Sequence, residues 1–320
     1  MSLSKKIFPF AFSLLFAVTA CYRPEKKLEP TVFCPIHPRQ LGKLNSAFSK
    51  LSSEELQTQW GSEYLVGTHF AKELDFYRAI TSFKRAHILA EQTSSLRKMQ
   101  IEYSILLAYF LAGKYSDVTY YFESSYLRSH ITQEFPAFHD LLIMLHESYL
   151  KCNREDEADE ALKLLEKENK PLATKVALFD ALSVGHFEAM DTYAAPLGYA
   201  KDLHSFKKSY HGQEKSMQKA ATLSMFFPGA GYLYVGQKRA AVTSFLINTL
   251  FITAAATFYS HGHIAAGIIT TGFEMGWYFG GIYGSAQAAK QYNEALYNGQ
   301  ARFLSEQHRL GPQLQLRFAF

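Results

Sequence analysis

Cysteine is scarce in this sequence, and its three copies, Cys21, Cys34 and Cys152, are too few for a disulfide-stabilised fold. No C-x-x-C pair occurs, and His139 and His146 lie seven positions apart rather than the four typical of helical metal ligands. We therefore expect no metal and no cofactor. Cys34 and Cys152 either form one disulfide in an oxidising compartment or stay as free thiols, and we favour free thiols.

Charge of one sign is also lacking, since 33 Lys and Arg face 29 Asp and Glu and leave a net charge of +4. This balance argues against a nucleic-acid partner. No phosphate-binding loop, paired-carboxylate motif or Ser/His/Asp arrangement is visible, so we do not expect an enzyme. The chain is instead 48% hydrophobic and 15% aromatic over 320 residues, which is enough for two domains with real cores.

The N-terminus has the three parts of a signal peptide. Two lysines precede Ile7 to Val18, an apolar run of 12 residues that is too short to cross a bilayer. The V-T-A-C that follows resembles the lipobox of bacterial lipoproteins, which implies cleavage after Ala20 and a lipid on Cys21. The alternative is an ordinary secretory signal with a cysteine there by chance. Either version predicts the cell envelope and a periplasmic exposure, with the choice of inner or outer membrane left open.

The middle of the chain repeats. Apolar residues recur at helical steps of three and four, and the anchors Ala79, Val118 and Ala158 are spaced by 39 and 40 residues. The G-K-Y-S-D turn at Gly113 resembles the interhelix turn of tetratricopeptide repeats, and G-H-F-E at Gly185 marks a degenerate fourth unit. The resemblance implies stacked helix pairs with a protein partner on their concave face, although the period exceeds the usual 34 residues. An ordinary helical bundle is the alternative.

The C-terminal third is apolar. Ala240 to Tyr259 is 20 residues without a charge, and Ile264 to Gly284 is 21 residues whose one charge is Glu274. Both are long enough to span a bilayer. The preceding P-G-A-G-Y-L-Y-V-G resembles a P-G-x-G-x-x-Y-x-G signature of poorly characterised bacterial membrane proteins, in which it precedes a hydrophobic helix pair without an assigned chemistry. Its positions here are Pro228, Gly229, Gly231, Tyr234 and Gly236.

A glycine recurs every fourth residue in the second apolar segment, at Gly272, Gly276, Gly280 and Gly284. Small residues at this spacing let helices approach closely in lipid. We expect the stripe to pack against Ala254 to Ala256 of the first segment or against a second copy of the chain, giving a homo-oligomer.

Two polar residues, Asn248 and Glu274, fall inside the apolar segments. An ionisable group within a membrane is a functional candidate. The structural alternative, which we favour, is a hydrogen bond from Glu274 to Asn248 or to a tyrosine across the hairpin.

The charges that flank the hairpin contradict the simplest topology. Lys201 to Arg239 holds seven Lys and Arg, whereas the loop between the two segments holds none. Basic flanks favour the cytoplasmic side, but a lipoprotein begins outside it. Three explanations stay open: another membrane, a hairpin that does not span, or a signal that is not cleaved. The basic stretch is also suited to acidic lipid headgroups.

The tail alternates, with Leu314, Leu316, Phe318 and Phe320 on one side of a predicted strand over Gln313 to Phe320. A final strand ending in phenylalanine resembles the C-terminal signal of outer-membrane barrel proteins. No series of alternating segments precedes it, so we expect no barrel and only an envelope address.

The predicted fold class is all-α, a tetratricopeptide-like solenoid followed by a hydrophobic helical hairpin. The expected function is an envelope adaptor or scaffold that binds protein through its repeats and is held by lipid and hairpin. The alternative is a transport or pore component made of oligomerised hairpins. The predicted segments are a signal peptide (1–20), a tether (21–50), helical repeats (51–200), a basic linker (201–219), a membrane domain (220–300) and a tail (301–320).

The lipobox predicts that Cys21→Ala abolishes incorporation of labelled fatty acid in bacterial cells, because the sulfur of Cys21 is the atom to which the lipid is attached. Metabolic labelling followed by membrane fractionation measures it, and Cys34→Ala is the matched control. Equal labelling of the Cys21 variant and the parent chain would refute lipid attachment at this residue.

Overall fold

The computed structural model describes residues 28–320, so the predicted signal peptide and Cys21 lie outside the described residues. The chain forms two compact units. One, called here the repeat unit, comprises Val32–Ser205 and Ala301–Phe320. The other, called the hairpin unit, comprises residues 28–31 and Phe206–Gln300.

The fold class is all-α, as predicted, and the described strands are limited to one parallel pair of two residues each. The helices of the repeat unit are α1 (Pro38–Leu41), α2 (Ser53–Gln57), α3 (Gln59–Lys72), α4 (Phe76–Leu89), α5 (Ser95–Leu111), α6 (Tyr115–Glu123), α7 (Tyr126–His130), α8 (Phe138–Lys151), α9 (Glu155–Glu168), α10 (Lys170–Val184), α11 (Phe187–Ala194) and α17 (Pro312–Gln315), with strands β1 (Asn45–Ser46) and β2 (Phe318–Ala319). Helix α12 (Ala200–Gln213) contributes residues to both units.

Four helix pairs follow one another in a helical-repeat-like arrangement: α3 with α4, α5 with α6, α8 with α9, and α10 with α11. The three predicted anchors, Ala79, Val118 and Ala158, are all fully buried. Small side chains at these positions let each second helix lie close to the first. Gly113 has a φ of +70°, so the turn between α5 and α6 uses the left-handed conformation that the sequence predicted.

The predicted tether is not a free segment over its described part. Val32, Cys34, Leu41 and Phe48 are buried in the repeat unit, and Phe48 lies against the rings of Tyr103 and Phe135. The sequence pattern did not predict this burial, because the apolar residues have no regular period and lie among prolines and charged residues. Cys34 and Cys152 are both free thiols.

The hairpin unit contains α13 (Met217–Phe226), α14 (Ala230–Val235), α15 (Lys238–Ser260) and most of α16 (Ile264–His308). Thr271 of α16 lies beside Tyr259 of α15, with 3.2 Å between their hydroxyl oxygens. Phe251 and Phe273 stack further along the pair at a centroid separation of 6.5 Å. The predicted basic linker is largely helical and forms α12.

Among the described residues, α15 is the one helix long and apolar enough to cross a membrane, and 17% of its most apolar window is buried. The first part of α16, which the sequence analysis paired with it, does not reach the same hydropathy. Its glycines, Glu274 and Trp277 lower the mean.

Gly67 faces the ring of Phe83, where a Cβ would lie 2.6 Å from the nearest ring carbon. Gly67→Ala should therefore destabilise the repeat unit by about 1–3 kcal/mol, because a fully buried ring must shift. Thermal unfolding of the full chain in detergent measures it. The neighbouring, half-exposed Val66→Ala serves as control, and an equal loss in both variants would contradict the close packing of α3 on α4.

Candidate functional site

The helices α5 and α8 line a groove that is filled by two other parts of the same chain. One is the segment 32–50, and the other is the segment 310–320, called here the groove segment. The two meet as parallel strands, with Asn45 opposite Phe318 and Ser46 opposite Ala319. Both segments belong to the repeat unit.

Asp140 of α8 holds the groove segment by its main chain. Its fully buried Oδ2 accepts hydrogen bonds from the backbone N–H groups of Arg317 at 2.8 Å and Phe318 at 2.9 Å. The Nε of Arg317 lies 3.5 Å from Oδ1. Burial raises the pKa of this carboxyl even though the two N–H donors and the Arg317 charge act to lower it.

Apolar contacts hold the rest of the groove segment. The ring of Phe320 stacks on Phe83 with centroids 5.6 Å apart and an interplanar angle of 15°, and Leu316 and Ala319 are buried. The strand predicted over Gln313 to Phe320 is confined to β2, and Pro312–Gln315 is a helical turn. The apolar alternation therefore reflects burial against the repeats and not membership of a large sheet.

Arg97 of α5 holds the other segment by its main chain. The guanidinium donates to the carbonyls of Ser49 at 2.8 Å and Lys50 at 3.1 Å, and its Nε donates to Glu55 at 2.8 Å. The hydrogen bond from Arg97 lowers the pKa of Glu55. Gln100, one turn further on, receives a bond from Arg97 and donates to the hydroxyl of Tyr64.

Sequence reasoning nominated none of these binding residues. A signal was present, because charged residues interrupt runs that are otherwise apolar. Glu102 stands between Ile101 and Tyr103, and Asp140 directly precedes L-L-I-M-L. Buried charges need partners, so such interruptions mark positions where a helix meets backbone groups of another segment.

The two histidines set aside as metal ligands have separate roles. The Nε2 of His146 lies 2.8 Å from Asp180 Oδ2, and its Nδ1 lies 2.9 Å from the carbonyl of Ala158. His146 thus links three consecutive helices. His139 instead lies 2.8 Å from an Nη of Arg317.

A cleft of about 730 Å³ opens on another part of the repeat unit, lined by residues of α4, the end of α5 and the turn that follows. Tyr77 on its rim is 81% exposed. The ammonium of Lys84 lies 5.2 Å from the ring centre of Tyr109, and the cleft also contains Asp75 and Asp117. Charges of both signs do not select one ligand class.

The P-G-x-G-x-x-Y-x-G motif fixes the four helices of the hairpin unit to one another. Pro228 follows the end of α13, and Gly229 begins α14 with a φ of +91° and no room for a Cβ, which would lie 2.3 Å from the Ala241 carbonyl. At Gly231 a Cβ would lie 2.1 Å from the Ala220 carbonyl. Gly236 ends α14 with a φ of +92°. The motif is therefore a packing device.

Three glycines of the stripe have no packing partner within the described residues. A Cβ on Gly272, Gly276 or Gly280 would meet no atom within 4 Å, and Gly284 faces Tyr232. The prediction that the stripe packs on Ala254 to Ala256 is therefore wrong.

A different face of α16 contacts α15. Gly267 lies against Tyr259 and Gly281 against Ser244. These glycines are 14 residues apart, and Glu274 falls midway between them on the same face, because seven residues make about two helical turns.

Glu274 and Asn248 are buried, with exposed fractions of 9% and 2%. The amide of Asn248 donates to the Ser244 carbonyl at 2.6 Å. Both carboxylate oxygens of Glu274 and the Oδ1 of Asn248 lack a hydrogen-bond partner in the described part of the chain. The predicted hydrogen bond between the two side chains is not formed.

Large apolar side chains cover the outside of the hairpin unit. Phe226 and Phe227 are 74% and 70% exposed. Further exposed residues follow along α15 and α16: Val242, Phe245, Leu246, Leu250, Ile252, Ile264, Ile268, Ile269, Phe273 and Trp277. A continuous apolar surface of this kind marks a membrane or protein contact.

Comparison with protein-family models, with curated proteins and with solved structures found no match. Functional conclusions therefore depend on the geometry of the groove and of the hairpin unit.

Asp140→Ala should loosen the groove segment, because the N–H groups of Arg317 and Phe318 lose their acceptor. We expect hydrogen exchange at these two amides to accelerate about 5- to 100-fold, which corresponds to about 1–3 kcal/mol for a lost bond to a charged group. The exposed Asp159→Ala is the control, and Asp140→Asn, which keeps an acceptor, should fall between. Unchanged exchange in Asp140→Ala would show that apolar contacts alone hold the segment.

The pKa shifts of His146 and His139 predict opposite effects of pH on the free energy of unfolding. Burial alone would lower the pKa of His146, but the hydrogen bond and charge of Asp180 raise it. Its stabilising effect is thus complete below the unfolded pKa of about 6.5 and is lost as the pH rises through the folded value. The stability difference between the parent chain and His146→Gln should shrink from pH 5.5 to 8.5.

His139 provides the opposing control. Burial, and then the Arg317 charge, lower its pKa, so the difference between the parent chain and His139→Gln should grow over the same pH range. Denaturant unfolding at several pH values measures both series. Parallel pH profiles for the two variants would overturn these assignments.

Proposed function

We propose that this chain is a membrane-attached scaffold of the bacterial envelope whose repeat unit binds an extended segment of a partner protein. The observation that carries the proposal is the way the groove holds residues 310–320. Asp140 binds backbone N–H groups, and the side chains of Leu316 and Phe320 are buried. Main-chain hydrogen bonds with pockets for alternate side chains are a recurring mode of peptide recognition.

The proposed ligand follows from the chemistry of the groove segment. It is an extended peptide with apolar side chains at alternate positions and an aromatic ring that stacks on Phe83. Such a partner binds by displacing the groove segment. Its apparent affinity is therefore its intrinsic affinity multiplied by the fraction of molecules in which the groove is empty.

Attachment to the membrane is the second half of the proposal. The lipid expected on Cys21 and the exposed apolar surface of α15 and α16 provide two separate anchors. Two separate anchors hold a protein at a membrane more durably than either one alone.

A chain truncated after Pro312 tests the groove as a binding site. We expect it to bind a labelled peptide of residues 313–320, and Asp140→Ala in the same background to weaken that binding about 5- to 100-fold. Fluorescence anisotropy measures the affinity, and circular dichroism first establishes that the truncated chain keeps its helices. A peptide with aspartate in place of Leu316 and Phe320 is the matched control. Equal binding of both peptides, or none to a folded chain, would refute the proposal.

A pore or transport component is the second candidate, and the buried, unpartnered carboxylate of Glu274 favours it. Oligomerised hairpins would place this group along a path through the membrane. Glu274→Gln removes the charge and keeps the volume, so it should reduce ion flux through reconstituted vesicles if the path exists. Identical flux in the parent chain and the variant would remove this candidate and leave the scaffold.

A further inference from the structure

Two lysines of the hairpin unit are held over the same tyrosine ring. The ammonium groups of Lys215 and Lys219 each lie 5.1 Å from the ring centre of Tyr234, and Lys215 is also 5.9 Å from that of Tyr292. Neither lysine forms an ion pair with a carboxylate in the described part of the chain. Two positive charges near one ring repel each other, and an anion that lies close to both offsets this repulsion.

The backbone around this pair is fixed. Asn293 of α16 accepts the N–H of Lys215 at 2.7 Å and donates to its carbonyl at 2.9 Å. The Tyr234 hydroxyl accepts the N–H of Ser216 at 3.2 Å. The lysines are therefore presented by a rigid support and not by a flexible loop.

The nearby carboxylates have partners of their own. Glu214, next to Lys215 in sequence, lies 3.3 Å from His211. Glu294 lies 3.7 Å from Lys290. Lys238 and Arg239, four and five positions after Tyr234, are exposed and likewise form no ion pair within the described residues. Four cations thus have no ion-pair partner within the described residues: two lie over Tyr234, and two begin α15, four and five positions later.

The position of Lys238 and Arg239 at the start of α15 matches the edge of a bilayer. From Tyr259, near the turn, to Lys238 is 21 residues, or about 32 Å of helix, close to the hydrocarbon thickness of about 30 Å. The surface between is apolar and exposed, and Phe226 and Phe227 extend it. Lys238 and Arg239 therefore fall at the level of the lipid headgroups if α15 crosses or enters the membrane, and Tyr234, which contacts Lys215 and Lys219, is four residues before Lys238.

We propose that Lys215 and Lys219, with Lys238 and Arg239, bind the phosphates of anionic phospholipid headgroups where α15 enters the bilayer. The proposal rests on the membrane attachment proposed above. The adjoining apolar surface favours a lipid over a free anion, since the two parts of a phospholipid match the two parts of this surface. Tyr234 and Tyr292 keep the two lysines in place and suit the interface themselves.

The test compares binding of the full chain to two kinds of vesicle, phosphatidylcholine alone and phosphatidylcholine with one-third phosphatidylglycerol. The variant Lys215→Gln/Lys219→Gln should lose most of the gain that the anionic lipid produces. A basic residue near an anionic surface contributes about 1 kcal/mol, so the loss should be about 10- to 30-fold in the partition coefficient. The control, Lys163→Gln/Lys167→Gln on α9, makes the same charge change on an exposed face of the repeat unit.

The outcomes separate this proposal from membrane attachment itself. Binding to phosphatidylcholine alone reports the apolar surface, and its absence would refute attachment. Both double variants could bind phosphatidylcholine normally and lose the same part of the gain from phosphatidylglycerol. That result would show that the gain depends only on net charge, and it would overturn the headgroup site. Selective loss in Lys215→Gln/Lys219→Gln supports it. Circular dichroism and detergent melting curves establish that each variant is folded.

Discussion

Each helix pair of the repeat unit has an apolar face that it cannot cover alone. Neighbouring pairs cover part of it, and the inner surface of α5 and α8 remains. The chain covers this surface with two of its own segments. Because the covering segments carry backbone N–H and carbonyl groups into the interior, α5 and α8 must supply buried polar partners, and Asp140 and Arg97 do so. The need to pair these buried backbone groups therefore explains why charged side chains lie in an apolar groove.

The helices of the hairpin unit also have to cover apolar faces, and they do so in a different way. Here α14 comes close to its neighbours at glycines, where a side chain is missing. Gly229 and Gly231 bring α14 within contact of the carbonyls of Ala241 and Ala220, and the hydroxyl of Ser285 donates to the latter at 3.1 Å. The outer surface stays apolar and exposed, as expected of a surface that contacts a membrane or another protein.

Local patterns in the sequence were enough to predict the all-α class, the helix pairs and the turn at Gly113. These features depend on residues a few positions apart, where period and turn chemistry act directly. Contacts between residues far apart in the chain do not show in local sequence patterns. The contact of Asp140 with Arg317 spans 177 positions, and only the odd charge in an apolar run hinted at it.

The glycine stripe illustrates a second limit. A spacing of four correctly places Gly272, Gly276 and Gly280 on one face of α16, but spacing alone does not say which face meets a neighbour. The contacting face follows a spacing of seven, from Gly267 through Glu274 to Gly281, and its middle member carries a carboxyl group. A carboxyl group on a packing face is the feature that hydropathy patterns are least able to predict.

The parallel pairing of β1 with β2 has a consequence for the order of events during synthesis. The repeat unit is discontinuous, since residues 206–300 separate its two parts. Ribosomes make β1 and all four helix pairs first, then the apolar helices, and only afterwards the strand that completes the groove. Closing so long a loop contributes a large contact order and a slow final step. While that step is pending, the newly made repeats expose an uncovered groove to whatever else is present in the compartment.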